Sequence, residues 1–150
     1  MTKKDVAIIS EPKENVYSDL LKFALNNCVS FSLVWRDQLK FNNSAKEIEE
    51  NLKPYLIKEE YTSKWPGTEI FKSKAKVRYY KINQETIKIL ESADSLYNWL
   101  CPDRPEDLAI YLKNNNCWLE SIAHEKESYI YIDEIPIEKI KEEIPKLEIK

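Results

Sequence analysis

The stretch Leu108–Ile132, LAIYLKNNNCWLESIAHEKESYIYI, decides the fold. It holds three short apolar runs, which are separated by the polar segments Asn114–Asn116 and Glu125–Glu127. Runs of this length with polar connections of a few residues are typical of adjacent antiparallel strands. The predicted strands are Leu108–Leu112, Trp118–Ala123 and Tyr129–Ile132. We therefore predict an antiparallel sheet in this part of the chain.

Further strands and helices are predicted upstream. Alternating apolar and polar residues predict strands over Val29–Arg36 and Lys74–Ile82, and Val6–Ile9 is a candidate edge strand. Trp65–Thr68, which reads Trp-Pro-Gly-Thr, predicts a type II turn. Apolar residues at helical spacing predict helices over Val16–Cys28, from Ser44 to Pro54, from Asn83 towards Leu100 and after Pro136.

The predicted fold class follows from this order of elements. Strands that follow one another along the chain favour an α+β architecture over alternating strands and helices. We predict a single α+β domain over residues 1–150, with a mostly antiparallel sheet of about five strands. Three to four helices are expected to pack on one face of the sheet.

The composition excludes several function classes. With only one glycine, Gly67, the chain has no glycine-rich loop for a nucleoside phosphate or a dinucleotide. With only one histidine, His124, it has no site of several histidine ligands for a metal. No cofactor and no metal is therefore predicted. The net charge of -3 makes nucleic acid an unfavourable partner for the chain as a whole.

The compartment is inferred from the cysteines and from the apolar runs. Cys28, Cys101 and Cys117 are odd in number and widely spaced, which favours free thiols in a reducing cytoplasm. No apolar run approaches the length of about 20 residues that a membrane-spanning helix requires. The sequence therefore predicts a cytoplasmic protein that is not inserted in a membrane.

Candidate catalytic groups are His124 and Glu125 together with Cys101, Glu106 and Asp107. A histidine can transfer protons near neutral pH, and a cysteine within hydrogen-bond reach would be a possible nucleophile. The alternative is a structural histidine whose ring is hydrogen-bonded to a carboxylate or carbonyl near residues 101–107. We expect the structural role, because no oxyanion-binding loop and no second general base is evident.

A basic strip is the candidate partner surface. Lys72, Lys74, Lys76, Arg78 and Tyr80 alternate along the predicted strand and are expected to project from one face. Ala75, Val77 and Tyr79 are expected to enter the core, and Trp65 is expected to be partly exposed. The strip could bind an acidic protein partner, or it could pair internally with Glu47, Glu49 and Glu50 of the second helix.

Several local motifs carry a resemblance to a known family. They are Trp65–Thr68, Leu96–Leu100, Pro105–Leu108, Trp118 and Ser121–Glu125. Together they resemble small uncharacterised bacterial proteins, some of which carry the label stage III sporulation protein AH. The resemblance implies an intracellular bacterial domain and assigns no catalytic residue.

Three functional hypotheses follow, and the last in order of preference is a nucleic-acid accessory protein that uses the basic strip of residues 72–80. The first is a non-catalytic protein-binding or regulatory module, for example of the immunity type, because a catalytic set is missing and charges of both signs are segregated along the chain. The second is a small enzyme that uses His124 with Cys101 or an acidic residue.

Overall fold

A computed structural model of the protein describes residues 4–150. The strands are β1 (Asp5–Ala7), β2 (Ser30–Arg36), β3 (Leu56–Thr62), β4 (Lys64–Trp65), β5 (Thr68–Glu69), β6 (Ala75–Lys81), β7 (Glu106–Tyr111), β8 (Cys117–Ile122) and β9 (Glu127–Tyr131). The helices are α1 (Asn15–Asn27), α2 (Asn43–Leu52), α3 (Gln84–Leu90) and α4 (Ile137–Glu143). Short 3₁₀ turns cover Lys53–Tyr55, Leu96–Asn98 and Ala123–Glu125.

Seven of the strands form one antiparallel sheet in the order β1-β9-β8-β7-β2-β6-β3. The three strands predicted from Leu108 to Ile132 are the neighbours β7, β8 and β9. This confirms the prediction of an α+β fold with a mostly antiparallel sheet. None of the helices among residues 4–150 has the length and apolarity that a membrane crossing requires.

The main core lies between one face of the sheet and the four helices. Each helix contributes apolar residues to it, including Leu20 of α1, Leu52 of α2, Leu90 of α3 and Ile140 of α4. On the sheet side the core contains residues such as Phe31, Leu33, Tyr80, Ile110, Leu119 and Ile130. We call this face the helix face, and its burial is the main source of hydrophobic stabilisation.

Helix α2 begins two residues earlier than the Ser44 pattern indicates. Asn42 is the N-cap, and its side-chain oxygen accepts a hydrogen bond from the Ala45 N–H at 3.2 Å. Asn83 caps α3 as predicted, in a reciprocal pair of hydrogen bonds with Thr86. Both caps satisfy N–H groups that the first turn of a helix leaves without a partner.

A small second layer covers part of the opposite face of the sheet. Strands β4 and β5 form a hairpin through Pro66 and Gly67, and Trp65 packs there against Val34, Ala75 and Val77. Strand β2 is therefore buried on both faces from Ser30 to Trp35. The turn at Gly67 was predicted correctly from the Pro-Gly pair.

The two edges of the sheet differ. Along β1, Ala7 and Lys150 exchange backbone hydrogen bonds, at 3.3 Å from the Ala7 N–H and at 2.9 Å from the Lys150 N–H. At the opposite edge, β3 pairs with β6 on one side only, and no segment of residues 4–150 pairs with its other side. Strand β3 was missed by the sequence patterns, because its central residues Lys58, Glu59 and Glu60 are all charged.

The hairpin gives the first prediction. Gly67 has φ +85°, and a Cβ atom there would lie 2.9 Å from Glu120 Oε2 and 3.0 Å from Ile122 Cγ1. We expect Gly67→Ala to lower the free energy of unfolding by about 1–3 kcal/mol, from backbone strain and close contact. Urea denaturation measures the change. Lys64→Ala in the same hairpin is the control and should stay within about 0.5 kcal/mol of the wild type.

Candidate functional site

The carboxylate of Asp107 joins three separate parts of the chain. It lies in a bulge of β7 opposite β2, with φ +55°, and it is buried. Its Oδ2 accepts a hydrogen bond from Trp65 Nε1 at 3.0 Å, and its Oδ1 accepts one from the Ala123 N–H at 3.2 Å. The bulge therefore aims one acid at the hairpin and at the 3₁₀ turn together.

Glu106 lies beside it and is also buried. Its Oε1 is 3.9 Å from Arg36 Nη1, and its Oε2 accepts a hydrogen bond from the Cys101 N–H at 3.4 Å. Burial raises the pKa of both Glu106 and Asp107, and the neighbouring charge of Asp107 raises that of Glu106 further. Neighbouring groups thus offset the charges of these two buried acids only in part.

His124 does not take the predicted structural role. Its side chain is exposed in the 3₁₀ turn Ala123–Glu125, and its ring makes no hydrogen bond with the described part of the chain. Asp107 binds the backbone of Ala123 instead. The histidine acts on the acid pair only at longer range, where its charge lowers the pKa of Glu106 and of Asp107.

The thiol of Cys101 does not have the environment of a nucleophile. Burial raises its pKa, and the charges of Glu106 and Asp103 raise it further. Its Sγ donates a hydrogen bond to the Lys40 carbonyl at 3.1 Å. A reactive thiolate requires the opposite, a lowered pKa near cationic groups. Of the predicted cluster, the structure brings together Cys101, Glu106 and Asp107, while His124 and Glu125 are exposed beside them.

Across residues 4–150, no three side chains of His, Cys, Asp or Glu are grouped so that they could hold a metal ion. The three cysteines lie at separate places as free thiols.

The basic strip does not form as predicted. Lys72 and Lys74 precede β6, which starts at Ala75, and Lys72 has φ +64°. Within β6 the alternation holds, and Ala75 and Val77 are buried as predicted, although against the Trp65 hairpin; Lys76, Arg78 and Tyr80 share the other face, which is the helix face. Strand β6 packs against the hairpin on one face and against the helix layer on the other, and alternation alone could not tell which side the helices occupy.

Two aromatic residues assigned to the partner surface are buried. Tyr80 is 1% exposed, because it stacks on Phe31 in the main core at 5.4 Å between ring centroids. Trp65 is 4% exposed, because its ring fills the space under the hairpin and its Nε1 is bonded to Asp107. The expectations of exposure at Tyr80 and Trp65 are therefore wrong.

Arg78 pairs inside the chain. Its guanidinium is bonded to Glu49 of α2 and, at 2.7 Å, to Glu59 of β3. This arrangement confirms, for this one residue, the alternative in which the acids of the second helix neutralise the strip. The pairs also tie α2 and β3 to the strand between them.

A basic groove lies where β6 meets the loop before α2. It is about 500 Å³ in volume, and its lining residues are Trp35, Arg36, Asp37, Leu39, Lys40, Phe41, Lys46, Glu49, Lys76 and Arg78. The lining holds five basic and two acidic residues. Arg36 and Arg78 are bonded to acids of the chain. Lys40, Lys46 and Lys76 are exposed and make no ion pair with residues 4–150, so they are the charges available to a partner.

The floor of the basic groove is apolar. Trp35 and Phe41 pack edge to face with ring centroids 5.1 Å apart, and Leu39 and Phe41 are half-buried. Sequence patterns included only Lys76 and Arg78 of this groove. The remaining part comes from residues 35–46, where Lys40 and Lys46 are too far along the chain from Lys76 for any pattern to join them.

Comparison of the chain with protein-family models, with curated proteins and with solved structures finds no match.

The Asp107 contacts give the second prediction. Asp107→Ala leaves two buried donors, the indole N–H of Trp65 and the backbone N–H of Ala123, without their acceptor. We expect a loss of about 2–4 kcal/mol in the free energy of unfolding, measured in urea. Asp5→Ala at the exposed start of β1 serves as the control. Equal stability of the two variants would contradict the role of the buried carboxylate.

The third prediction concerns Glu106. Because its pKa in the folded protein is raised above 4.5, its contribution to stability is full below that pH and is lost as the pH rises through the folded-state value. Glu106→Gln removes this loss. We expect the free energy of unfolding to fall less between pH 4.5 and neutrality in the variant than in the wild type. Glu47→Gln, at an exposed position of α2, should instead follow the wild-type profile.

Proposed function

We propose that this protein is a non-catalytic protein-binding module of regulatory or immunity type, and that the basic groove binds an acidic segment of a partner protein. The observation that carries the proposal is the excess of basic over acidic residues around an apolar floor, in a chain whose net charge is -3. Charge of one sign in a cleft attracts a partner of the opposite sign and speeds its association.

The shape and chemistry of the groove support a polypeptide partner. Leu39 and the ring pair of Trp35 and Phe41 offer apolar contact, and Lys40, Lys46 and Lys76 surround them. An acidic segment that carries an aromatic or aliphatic side chain would complement both features. Nucleic acid is the less favourable partner, because the acidic chain as a whole repels a phosphate backbone.

The acid cluster supports the non-catalytic part of the proposal. The hydrogen bonds of Asp107 connect structural elements, and the raised pKa of the Cys101 thiol disfavours a nucleophile beside His124. The resemblance to small bacterial proteins and the three free thiols favour a bacterial cytoplasmic setting.

The fourth prediction tests the groove directly. We expect the protein to select, from random peptides displayed on phage, sequences rich in Asp and Glu that also carry aromatic or aliphatic residues. A selected peptide should bind at least about tenfold more weakly to the variant Lys40→Glu, Lys46→Glu, Lys76→Glu, as measured by fluorescence anisotropy. Its affinity for the wild type should fall as salt is added, since ions screen exposed charges.

A matched control changes the net charge by the same amount elsewhere. Lys22, Lys88 and Lys113 are exposed and lie outside the groove, and their replacement by Glu should leave the affinity unchanged. Equal weakening by the two triple variants would contradict the groove as the binding site. Selected peptides without acidic residues, or tighter binding of a single-stranded oligonucleotide, would contradict the acidic protein partner.

A further inference from the structure

Strand β3 presents a free sheet edge. Six of its seven residues are exposed, and β6 occupies only one of its two sides. Ile57 is 57% exposed and Tyr61 is 58% exposed, which is high for large apolar side chains within a strand. An edge with unpaired backbone groups and apolar side chains is a template for another strand.

The charge sequence of β3 is complementary to itself. Lys58 and Glu60 lie one residue before and one residue after Glu59. In antiparallel pairing centred on Glu59, Lys58 of each strand would face Glu60 of the other strand. Opposite charges directly across a strand pair stabilise it, and this register gives two such pairs.

We propose that the partner at this edge is a second copy of the chain, paired antiparallel through β3 about a twofold axis at Glu59. A closed pair of this kind uses the same surface on both subunits, as most homodimers do. The two seven-stranded sheets then form one continuous sheet. Tyr61, which follows the central triplet on the face of Glu59, becomes covered, while Ile57 precedes the triplet in a bulge of β3.

The central like charges are compensated within each copy. Glu59 is bonded to Arg78 at 2.7 Å, so the two Glu59 carboxylates meet with their own counter-charges already in place. Lys58 and Glu60 pair at 2.9 Å within one chain, on the face where Lys58 also lies 4.6 Å from the centre of the Tyr79 ring. The dimer brings together Lys58 and Glu60 of both copies, and these four charges alternate in sign.

This inference goes beyond the proposed function. The basic groove is lined by β2, β6, α2 and the loop between β2 and α2, and none of its lining residues comes from β3. A partner protein can therefore occupy the groove of each subunit in the dimer, and failure of either proposal leaves the other intact.

Sedimentation equilibrium of the full chain over roughly a hundredfold range of concentration tests the dimer. We expect a species of twice 17.8 kDa at the upper end of the range. Lys58→Glu places acid against acid across the interface, and Glu60→Lys places base against base. Each variant alone should dimerise at least about tenfold more weakly than the wild type.

Mixing the two variants separates the interface from effects within one chain. The acids of the Lys58→Glu chain face the lysines of the Glu60→Lys chain at both positions, so the equimolar mixture should form a heterodimer although each variant alone dimerises only weakly. Pairing of Lys58 with Glu60 inside one chain cannot produce this rescue. Circular dichroism of each variant confirms that the fold is retained.

The variant Lys40→Glu, Lys46→Glu, which leaves Lys76 beside Tyr61 unchanged, is the control and should dimerise like the wild type. A wild-type chain that remains monomeric throughout the range overturns the proposal. Dimerisation that is unaffected by both single variants, or a mixture that stays monomeric, places the contact elsewhere and overturns it equally.

Discussion

The carboxylate of Asp107 holds the second layer of this protein on its sheet. An antiparallel sheet that packs helices on one face leaves its other face to be covered or solvated. Here the cover over β2 and β6 is a short hairpin, and its Trp65 ring is fixed by the bond from Nε1 to Asp107. The same carboxylate anchors Ala123, so three distant segments depend on one buried charge. Burial of that charge is costly, and two hydrogen bonds offset the cost.

Much of the fold could be predicted from local patterns. Three correctly predicted features each depend on residues that are close in sequence. They are the strands after Leu108, the cap at Asn83 and the turn formed by the Pro-Gly pair before Thr68. Such signals reflect chemistry that acts within one turn or one strand. Strand β3 gave no such signal, because an edge strand buries little apolar surface and the charged centre of this one is solvated. The edge strand that was predicted near Val6 is β1, a short and apolar strand. It lies at the edge of the sheet opposite to β3.

The candidate sites were less predictable, for a physical reason. Period-two alternation shows which residues of β6 share a face but not which face the helices cover. The assignment of Tyr80 to solvent was therefore wrong, whereas Ala75 is buried as predicted, but under the hairpin and not under the helices. The cluster of Cys101, Glu106 and Asp107 could be anticipated, because these residues are close in sequence. The basic groove could not, because Lys40 and Lys76 meet only through the pairing of β2 with β6.

The pairing of β1 with β9 has a consequence for how the chain folds during synthesis. Ala7 faces Tyr129 and Asp5 faces Tyr131, so β1 waits for a strand that is synthesised much later. Until β9 has left the ribosome, Val6 and its neighbours have no strand to pair with, and the edge of β8 that β9 will occupy has no strand beside it. Contacts between such distant residues are slow to form, because the closure of a long loop precedes any gain from the contact. Completion of the sheet therefore requires that β9 has already been made, and nascent chains arrested before Ser128 should remain open to proteases at β1.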